Sequence, residues 1–312
     1  MQGLPNSSSL PAQPLGWKAL PESYRIPEAA PSLEEARRYC EHLAKTHYEN
    51  FSVATWFLPA HLSQHFYNVY AYCRISDDLG DEVGNAQQSL ELLDHWEMEL
   101  NACYAGSPRH PVFVALQETV KQCAIPKHEF SDLLIAFRQD QTVSRYETLE
   151  DLLGYCRYSA NPVGHLVLYL CGYSDADRQQ LSDSTCTALQ LANFWQDVAV
   201  DYQKGRIYLP LEDLRRFGVS VDDIAQRRAT PQFLAMMKFE VAHVREWFER
   251  GLPLVKRVNR DLAIDIELFS RGGQEILNAI ERQGYDVLRQ RPVISKSRKL
   301  LLVARAALGK VL

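Results

Sequence analysis

A polar line along one face of an otherwise apolar segment is the feature that most constrains this chain. The segment reads Q-L-A-N-F-W-Q-D-V-A-V-D, and no glycine or proline interrupts a helix. Its polar residues fall at offsets 0, 3, 7 and 11, within a sector of about 80° at roughly 100° per residue: Gln190, Asn193, Asp197 and Asp201. Ionised carboxylates in apolar surroundings need cations, and the segment contains no Lys or Arg. The pattern therefore predicts a buried helix that presents ligands to a bound cation.

A second segment, Y-A-Y-C-R-I-S-D-D-L-G-D-E, repeats the arrangement 120 residues earlier. Its residues at offsets 0, 4, 7 and 11 are Tyr70, Arg74, Asp77 and Asp81, and Asp78 lies beside the third. A single D-x-x-x-D pair more commonly marks a solvated helix face. Two pairs with matching polar lines favour Mg²⁺, which prefers carboxylate oxygens and bridges to substrate phosphates. We therefore predict two facing acidic helices that hold several ions and, through them, a diphosphate.

Basic and amide side chains near these acids suit the same ligand. Arg74, Lys204 and Arg206 are candidates to grip diphosphate oxygens, Arg in forked geometry. Gln190 and Asn193 would complete the metal shell as neutral ligands or by orienting water. The reaction class this chemistry suggests is ionisation of an allylic or cyclopropylcarbinyl diphosphate, with an apolar pocket shielding the cation from water.

Composition sets the broad class. The 312 residues, 46% hydrophobic and 23% charged, can bury the sizeable core of a soluble globular protein. A net charge of −5 without a basic stripe gives no nucleic-acid footprint. Seven scattered cysteines without a C-x-x-C favour a reducing cytosol over disulfides or structural zinc. We find neither a signal peptide nor eighteen consecutive apolar residues, and expect a soluble or peripheral protein.

The apolar spacing is helical almost throughout, so we predict an all-α fold. Residues 1–31 contain six prolines and three consecutive serines, and we predict a disordered or loosely docked leader before a single helical domain at 32–312. The predicted helices cover 33–58, 60–83, 86–105, 111–123, 127–140, 148–171 with a kink at Pro162, a central helix around 190–201, a short helix in 211–228, and then 231–257, 261–283 and 295–311.

Four motifs carry a resemblance to a known family: Y-A-Y-C-R-I-S-D-D-L-G-D, Y-C-R-Y-S-A-N-P-V-G, L-Q-L-A-N-F-W-Q-D-V-A-V-D and G-R-I-Y-L-P. In this order and spacing they resemble the squalene and phytoene synthase family, which joins two prenyl chains head to head. The similarity runs from about residue 40 to 285. The pieces E-N-F-S-V, Y-S-A-N-P-V-G and N-F-W-Q-D-V are most similar to one branch, the bacterial hydroxysqualene synthases of hopanoid pathways.

The resemblance implies a single-domain isoprenoid synthase bundle with a central cavity, Mg²⁺ as cofactor, and presqualene diphosphate as substrate. Loss of diphosphate and capture by water would yield hydroxysqualene without a reductant. The implied metal ligands are Asp77, Asp78 and Asp81 in the first motif, Asp197 and Asp201 in the second, and Asn193 between them.

The resemblance also assigns pocket residues. Tyr155 matches an active-site tyrosine, although its sequence setting without the resemblance favours an ordinary core tyrosine. Pocket or diphosphate-binding positions fall on Phe51, Tyr70, Asp140, Gln190 and Tyr208. Position 196 departs from the pattern, because it is Gln where many relatives carry Arg, which removes a fixed charge near the diphosphate.

Two rival functions stay open. One is a squalene, dehydrosqualene or phytoene synthase that condenses two prenyl diphosphates, such as farnesyl diphosphate. The other is a non-catalytic assembly factor with the same fold, which the two intact aspartate motifs disfavour. The basic, apolar tail at 295–312 fits either peripheral contact with the inner membrane or a last helix closing the bundle. Association with other squalene-pathway enzymes also stays open.

Overall fold

The computed structural model describes residues 15–46, 59–295 and 298. Within them the regular structure is helical, apart from one isolated parallel bridge between Arg145 and Ile207. The α-helices are α1 (Leu33–Thr46), α2 (Ser63–Asp81), α3 (Ala86–Ala105), α4 (Pro111–Gln122), α5 (His128–Gln139), α6 (Leu149–Ser159), α7 (Asn161–Leu170), α8 (Ala176–Gln203), α9 (Leu211–Phe217), α10 (Val221–Ala225), α11 (Pro231–Gly251) and α12 (Arg260–Arg282). Short 3₁₀ helices occur at Leu15–Ala19, Glu22–Tyr24, Ala60–Leu62 and Leu252–Lys256. The all-α prediction is confirmed.

Two helices organise the bundle, and each carries one aspartate motif. Helix α2 packs among α1, α3, α4 and α5, while α8 packs among α7, α11 and α12. Helix α8 begins at a side-chain cap, where Asp175 accepts the backbone N–H of Arg178, and then runs for 28 residues. Each helix is buried in its own apolar core, and α5 and α7 connect the two halves.

An apolar cavity of about 340 Å³ lies between the halves. Its wall is formed by α2, α7, α8 and α12, and closed at one end by the 3₁₀ helix at Leu252–Lys256. Gly164 permits the close approach of α7 to α8, because a Cβ there would lie 2.3 Å from Oγ of Ser182. Gly164 thus lies at a tight helix crossing beside the cavity.

The structure differs from the sequence prediction at Pro162. The expected kinked helix over 148–171 is two helices, because α6 ends at Ser159 and α7 begins at Asn161. Pro162 occupies the first turn of α7, where its missing N–H is not needed by the helix, whereas in a helix interior it would break a hydrogen bond.

The described part of the leader lies against the helical domain. Residues 17–26 pack onto the first core, and Trp17 and Tyr24 are 2% and 1% exposed. Proline-rich composition predicted disorder or loose docking, and these two large aromatic side chains bury apolar surface that docks the segment. Residues 1–14, the helix end expected at 47–58 and nearly all of the tail lie outside the described residues.

Candidate active site

The first aspartate motif lies on α2, the helix whose Phe66 and Tyr70 line the apolar cavity. Asp77 and Asp81 are one turn apart, and burial together with the neighbouring Asp81 carboxylate raises the pKa of Asp77 to about 6. Arg74 lies a further turn back, with its Nη1 3.6 Å from Oδ2 of Asp77. Tyr70, one turn before Arg74, lines the apolar cavity. The helix thus leads from an acidic end into an apolar pocket, as the sequence spacing predicted.

Asp78 faces a different environment from its neighbour Asp77. It is 5% exposed, and its Oδ2 accepts hydrogen bonds from the Tyr24 hydroxyl at 2.7 Å and from Nε of Arg74 at 3.1 Å. Its Oδ1 accepts a further hydrogen bond from Nη2 of Arg74. In this structure Asp78 is thus hydrogen-bonded to Tyr24 and Arg74, whereas the resemblance implied a metal ligand at this position.

The second motif lies near the C-terminal end of α8. Asp201 has a pKa raised to about 7 by burial and by the Asp197 carboxylate, opposed by nearby Lys204, Arg206 and Arg291. Lys204 is exposed and caps the end of α8. Arg291 donates to both oxygens of Asp197, through Nε to Oδ1 and through Nη2 to Oδ2 at 3.0 Å.

Arg206 connects the two motifs. Its Nη2 donates to Oδ1 of Asp81 at 3.0 Å, and its guanidinium opposes the rise that burial causes in the pKa values of Asp140 and Asp201. The loop that carries it is fixed by the N–H of Ile207, which donates to the Ser144 carbonyl at 2.9 Å. The G-R-I-Y-L-P segment is therefore held against the acidic ends of α2 and α8.

An aromatic cluster adjoins these acids. The Tyr155 hydroxyl donates to Oδ2 of Asp140 at 2.9 Å, and the Tyr208 ring stacks on Phe194 with centroids 3.8 Å apart. Burial raises the pKa of Tyr155, so its proton stays on the phenol at neutral pH. Burial also raises the pKa of Asp140 to about 6, against the opposing effects of Arg206 and Tyr155. Ring faces and a hydrogen-bonded phenol are the groups that can face a cation.

The other predicted residues are distributed as follows. Gln190 is half-buried and Asn193 exposed, on the α8 face that also carries Asp197. Phe51 lies outside the described residues. Sequence reasoning missed two contributors, Tyr24 and Arg291, because both reach the site from distant parts of the chain that lie outside the long helices. The one available signal was the unusual Gln196, which contacts Arg291 at 3.2 Å.

The donor set fits divalent ions bound together with an oxygen-rich ligand. Within the described residues no three acidic, His or Cys side chains converge as a ready-made cage. Each motif offers a carboxylate pair instead, and Mg²⁺ typically takes one or two carboxylates, waters and substrate phosphates. Asp140 keeps one buried oxygen, Oδ1, without a hydrogen-bond partner among the described residues. Buried acids that raise one another's pKa values are relieved by a cation.

Comparison with known proteins agrees with this arrangement. The squalene/phytoene synthase family model matches residues 44–298. A 15-cis-phytoene synthase of Synechocystis sp. is 32% identical over 289 residues, covering 88% of this chain and 86% of that protein. The chloroplastic phytoene synthase 3 of Zea mays is 29% identical, covering 93% of this chain and 70% of that protein.

Solved structures show the same similarity. The squalene synthase HpnC of Alicyclobacillus acidocaldarius superposes with a TM-score of 0.79 at 44% identity, covering 86% of this chain and 98% of HpnC. A ligand-bound dehydrosqualene synthase has a TM-score of 0.79 at 29% identity, covering 88% of this chain and 96% of that one. No described helix is long and apolar enough to cross a membrane. The chain belongs to the squalene/phytoene synthase family.

Proposed function

We propose that this protein is a Mg²⁺-dependent hydroxysqualene synthase that converts presqualene diphosphate and water into hydroxysqualene and diphosphate. The general reaction class follows from two aspartate motifs that Arg206 brings together, on the two helices whose other residues line an apolar cavity. The observation that supports this particular reaction within the family is the 44% identity to HpnC, against 32% and 29% for the phytoene synthases compared above. HpnC is described as a squalene synthase, and this similarity supports a C30 substrate for the present chain.

Charged side chains would bind the ions and the diphosphate, and the apolar cavity would bind the prenyl chain. Asp77, Asp81, Asp197 and Asp201 are the residues that would hold Mg²⁺, which supplies Lewis-acid neutralisation of the leaving diphosphate. Arg74 and Arg206 lie beside these carboxylates and offer forked donors to phosphate oxygens. Since seven residues of helix rise about 10 Å, the Tyr70 end of the cavity lies within reach of a prenyl chain whose diphosphate is at Asp77.

The aromatic cluster and the apolar wall would control the cation. Tyr155 and Tyr208 present ring faces near Asp140, and the cavity wall is almost wholly apolar, so the hydrocarbon part of the cation is shielded from bulk water. Water that captures the cation must then enter from the polar end, where Asp140 can receive its proton. Its pKa of about 6 suits such a transfer near neutral pH.

The rival function is condensation of two prenyl diphosphates by a squalene, dehydrosqualene or phytoene synthase. It is favoured by the phytoene synthases among the relatives and by the dehydrosqualene synthase among the similar structures. A non-catalytic assembly factor is disfavoured by the acidic motifs, whose raised carboxylate pKa values are costly to a fold that binds no cation.

The test is incubation of the purified protein with Mg²⁺ and either presqualene or farnesyl diphosphate, without NADPH, in ¹⁸O-labelled water. An alcohol that carries ¹⁸O and forms from presqualene diphosphate alone would support the proposal. Presqualene diphosphate or a hydrocarbon formed from farnesyl diphosphate would move the protein to the condensing branch. Inactivity with both substrates would favour the assembly factor.

The cellular setting is proposed from the chemistry of the product. A C30 alcohol is insoluble in water, so delivery to a membrane surface or to a partner enzyme of the squalene pathway is needed after release. We propose a cytoplasmic protein that contacts the inner membrane peripherally. Co-sedimentation with anionic vesicles, with and without residues 296–312, tests that contact.

A further inference from the structure

The segment that follows α12 returns to the second aspartate motif, and one glutamine holds it there. Nε2 of Gln196 donates to the Pro292 carbonyl at 2.6 Å in a buried hydrogen bond. Oε1 of the same side chain accepts Nη2 of Arg291 at 3.2 Å. Gln196 is only 6% exposed, and both its amide nitrogen and its amide oxygen are hydrogen-bonded, so the side chain is held in place.

This arrangement aims a guanidinium at Asp197. Arg291 contacts both oxygens of that carboxylate, and the Asp197 side chain is 13% exposed whereas Arg291 is 47% exposed. A forked contact occupies the lone pairs that a divalent ion would use. A cation and Arg291 therefore cannot both take the full carboxylate of Asp197.

We propose that Arg291 and a divalent cation compete for Asp197, and that Gln196 is the positioning residue that holds Arg291 in the competing place. When the ion binds, the guanidinium gives up at least one carboxylate oxygen while Gln196 still holds the backbone at Pro292. The ion therefore moves a side chain and leaves the segment docked. The proposal rests on the proposed function in one respect, namely that Asp197 is a metal ligand.

The exposure of Arg291 makes this exchange feasible. Half of its side chain already faces solvent, so a released guanidinium is hydrated at once rather than buried without a partner. The competition consequently weakens metal binding without blocking it.

The test measures Mn²⁺ binding by electron paramagnetic resonance, with no substrate present. For Arg291→Gln we expect the dissociation constant to fall about fivefold, the size of one partly exposed forked ion pair. Arg289→Gln is the matched control. It removes the same charge from an exposed side chain that lies two residues earlier in the chain. We expect Arg289→Gln to change the Mn²⁺ dissociation constant less than about 1.5-fold, since solvent and salt strongly screen an exposed charge that does not contact the site.

A double-mutant cycle tests the role of Gln196. Gln196→Met keeps the buried volume but removes both hydrogen bonds, and we expect about twofold tighter Mn²⁺ binding in the natural background. In the Arg291→Gln background it should have no further effect on Mn²⁺ affinity. A purely structural role for Gln196 would change affinity equally in both backgrounds and would overturn its assignment as a positioning residue.

Asp197→Asn separates failure of this inference from failure of the proposed function. If it binds Mn²⁺ as the natural protein does, Asp197 is not a metal ligand and the metal arrangement of the proposed function is wrong. If it loses Mn²⁺ while Arg291→Gln binds no more tightly than Arg289→Gln, only the competition is refuted. Absence of Mn²⁺ binding by both the natural protein and Arg291→Gln would also refute it, because Arg291 would then not limit access.

Discussion

Two adjacent aspartates on α2 should respond in opposite ways to the same substitution. Asp77 faces the cavity end of the helix, and Asp78 is buried under Tyr24 and Arg74. We predict that Asp77→Asn weakens metal binding while leaving stability unchanged or improved. Asp78→Asn should destabilise the fold while retaining the metal. Because the change from carboxylate to amide is the same, each variant is the control for the other.

The magnitudes follow from burial and partners. Removing one member of a buried ion pair costs about 3–5 kcal/mol, and since Arg74 is 32% exposed and can be hydrated, we expect about 2 kcal/mol for Asp78→Asn. At Asp77 the folded-state pKa of about 6 lies above the ordinary value of 3.8, so the ionised carboxylate is destabilising at pH 7.5. Its side chain is 48% exposed, which limits the expected gain to about 1 kcal/mol or less.

The assay is urea-induced unfolding at pH 7.5 without metal, followed by circular dichroism, together with Mn²⁺ titration of both variants. We expect the Mn²⁺ dissociation constant to rise at least about tenfold for Asp77→Asn, equivalent to about 1.4 kcal/mol, and to change less than twofold for Asp78→Asn. The reverse pattern, with metal lost in Asp78→Asn and stability lost in Asp77→Asn, would refute the placement of both side chains.

Three further predictions concern the aromatic cluster, a buried acid and a helix crossing. Tyr155→Phe should lower kcat by about 10²-fold with an unchanged melting temperature, as expected for loss of a proton-steering group hydrogen-bonded to Asp140; a rate within twofold of natural would exclude that role. Burial raises the pKa of Glu240 from 4.5 to about 9, so its contribution to stability is present below pH 4.5 and is lost as pH rises through 9. Glu240→Gln should therefore flatten the fall in unfolding free energy between pH 5 and 9, and an unchanged slope would contradict this. Gly164→Ala forces α7 from α8 and should cost about 1–3 kcal/mol in urea unfolding, whereas Gly154→Ala, with open space at its Cβ, should gain up to about 1 kcal/mol; equal effects would refute the steric argument.

The positions that the sequence predicted correctly are those set by local periodicity. The polar line on α8 and the acids of α2 follow from the helical repeat, and a helix of this length keeps that repeat whatever packs around it. Asp78 was not separable from Asp77 in this way. One residue turns about 100° around the helix, so which of the two faces the cavity depends on neighbours. The deciding neighbour, Tyr24, comes from 54 residues earlier, in a segment whose composition suggested disorder.

The position of Arg291 could not be predicted from the sequence. It lies beyond the end of α12 in a stretch without regular structure, so no hydrophobic period indicates which way its side chain points. Its position depends on the buried Gln196, 95 residues away in the chain. A departure from the family pattern at position 196 marked the place where the site would differ, but only the folded chain shows which side chain contacts that glutamine.

The ion pairs on the two aspartate motifs affect how the site would bind its ligand. Each aspartate motif is already matched by a guanidinium, Arg206 on Asp81 and Arg291 on Asp197. A diphosphate arriving alone would draw these arginines from their carboxylates and leave the acids uncompensated in a partly buried site, which is unfavourable. Divalent ions arriving alone would meet the competing arginines. When ions and diphosphate bind together, the carboxylates pass to the ions and the guanidiniums pass to phosphate oxygens, so every charge keeps a partner. Under the proposed function, this geometry would favour joint binding of metal and diphosphate over either one singly, and it would confine ionisation of the substrate to the fully assembled site.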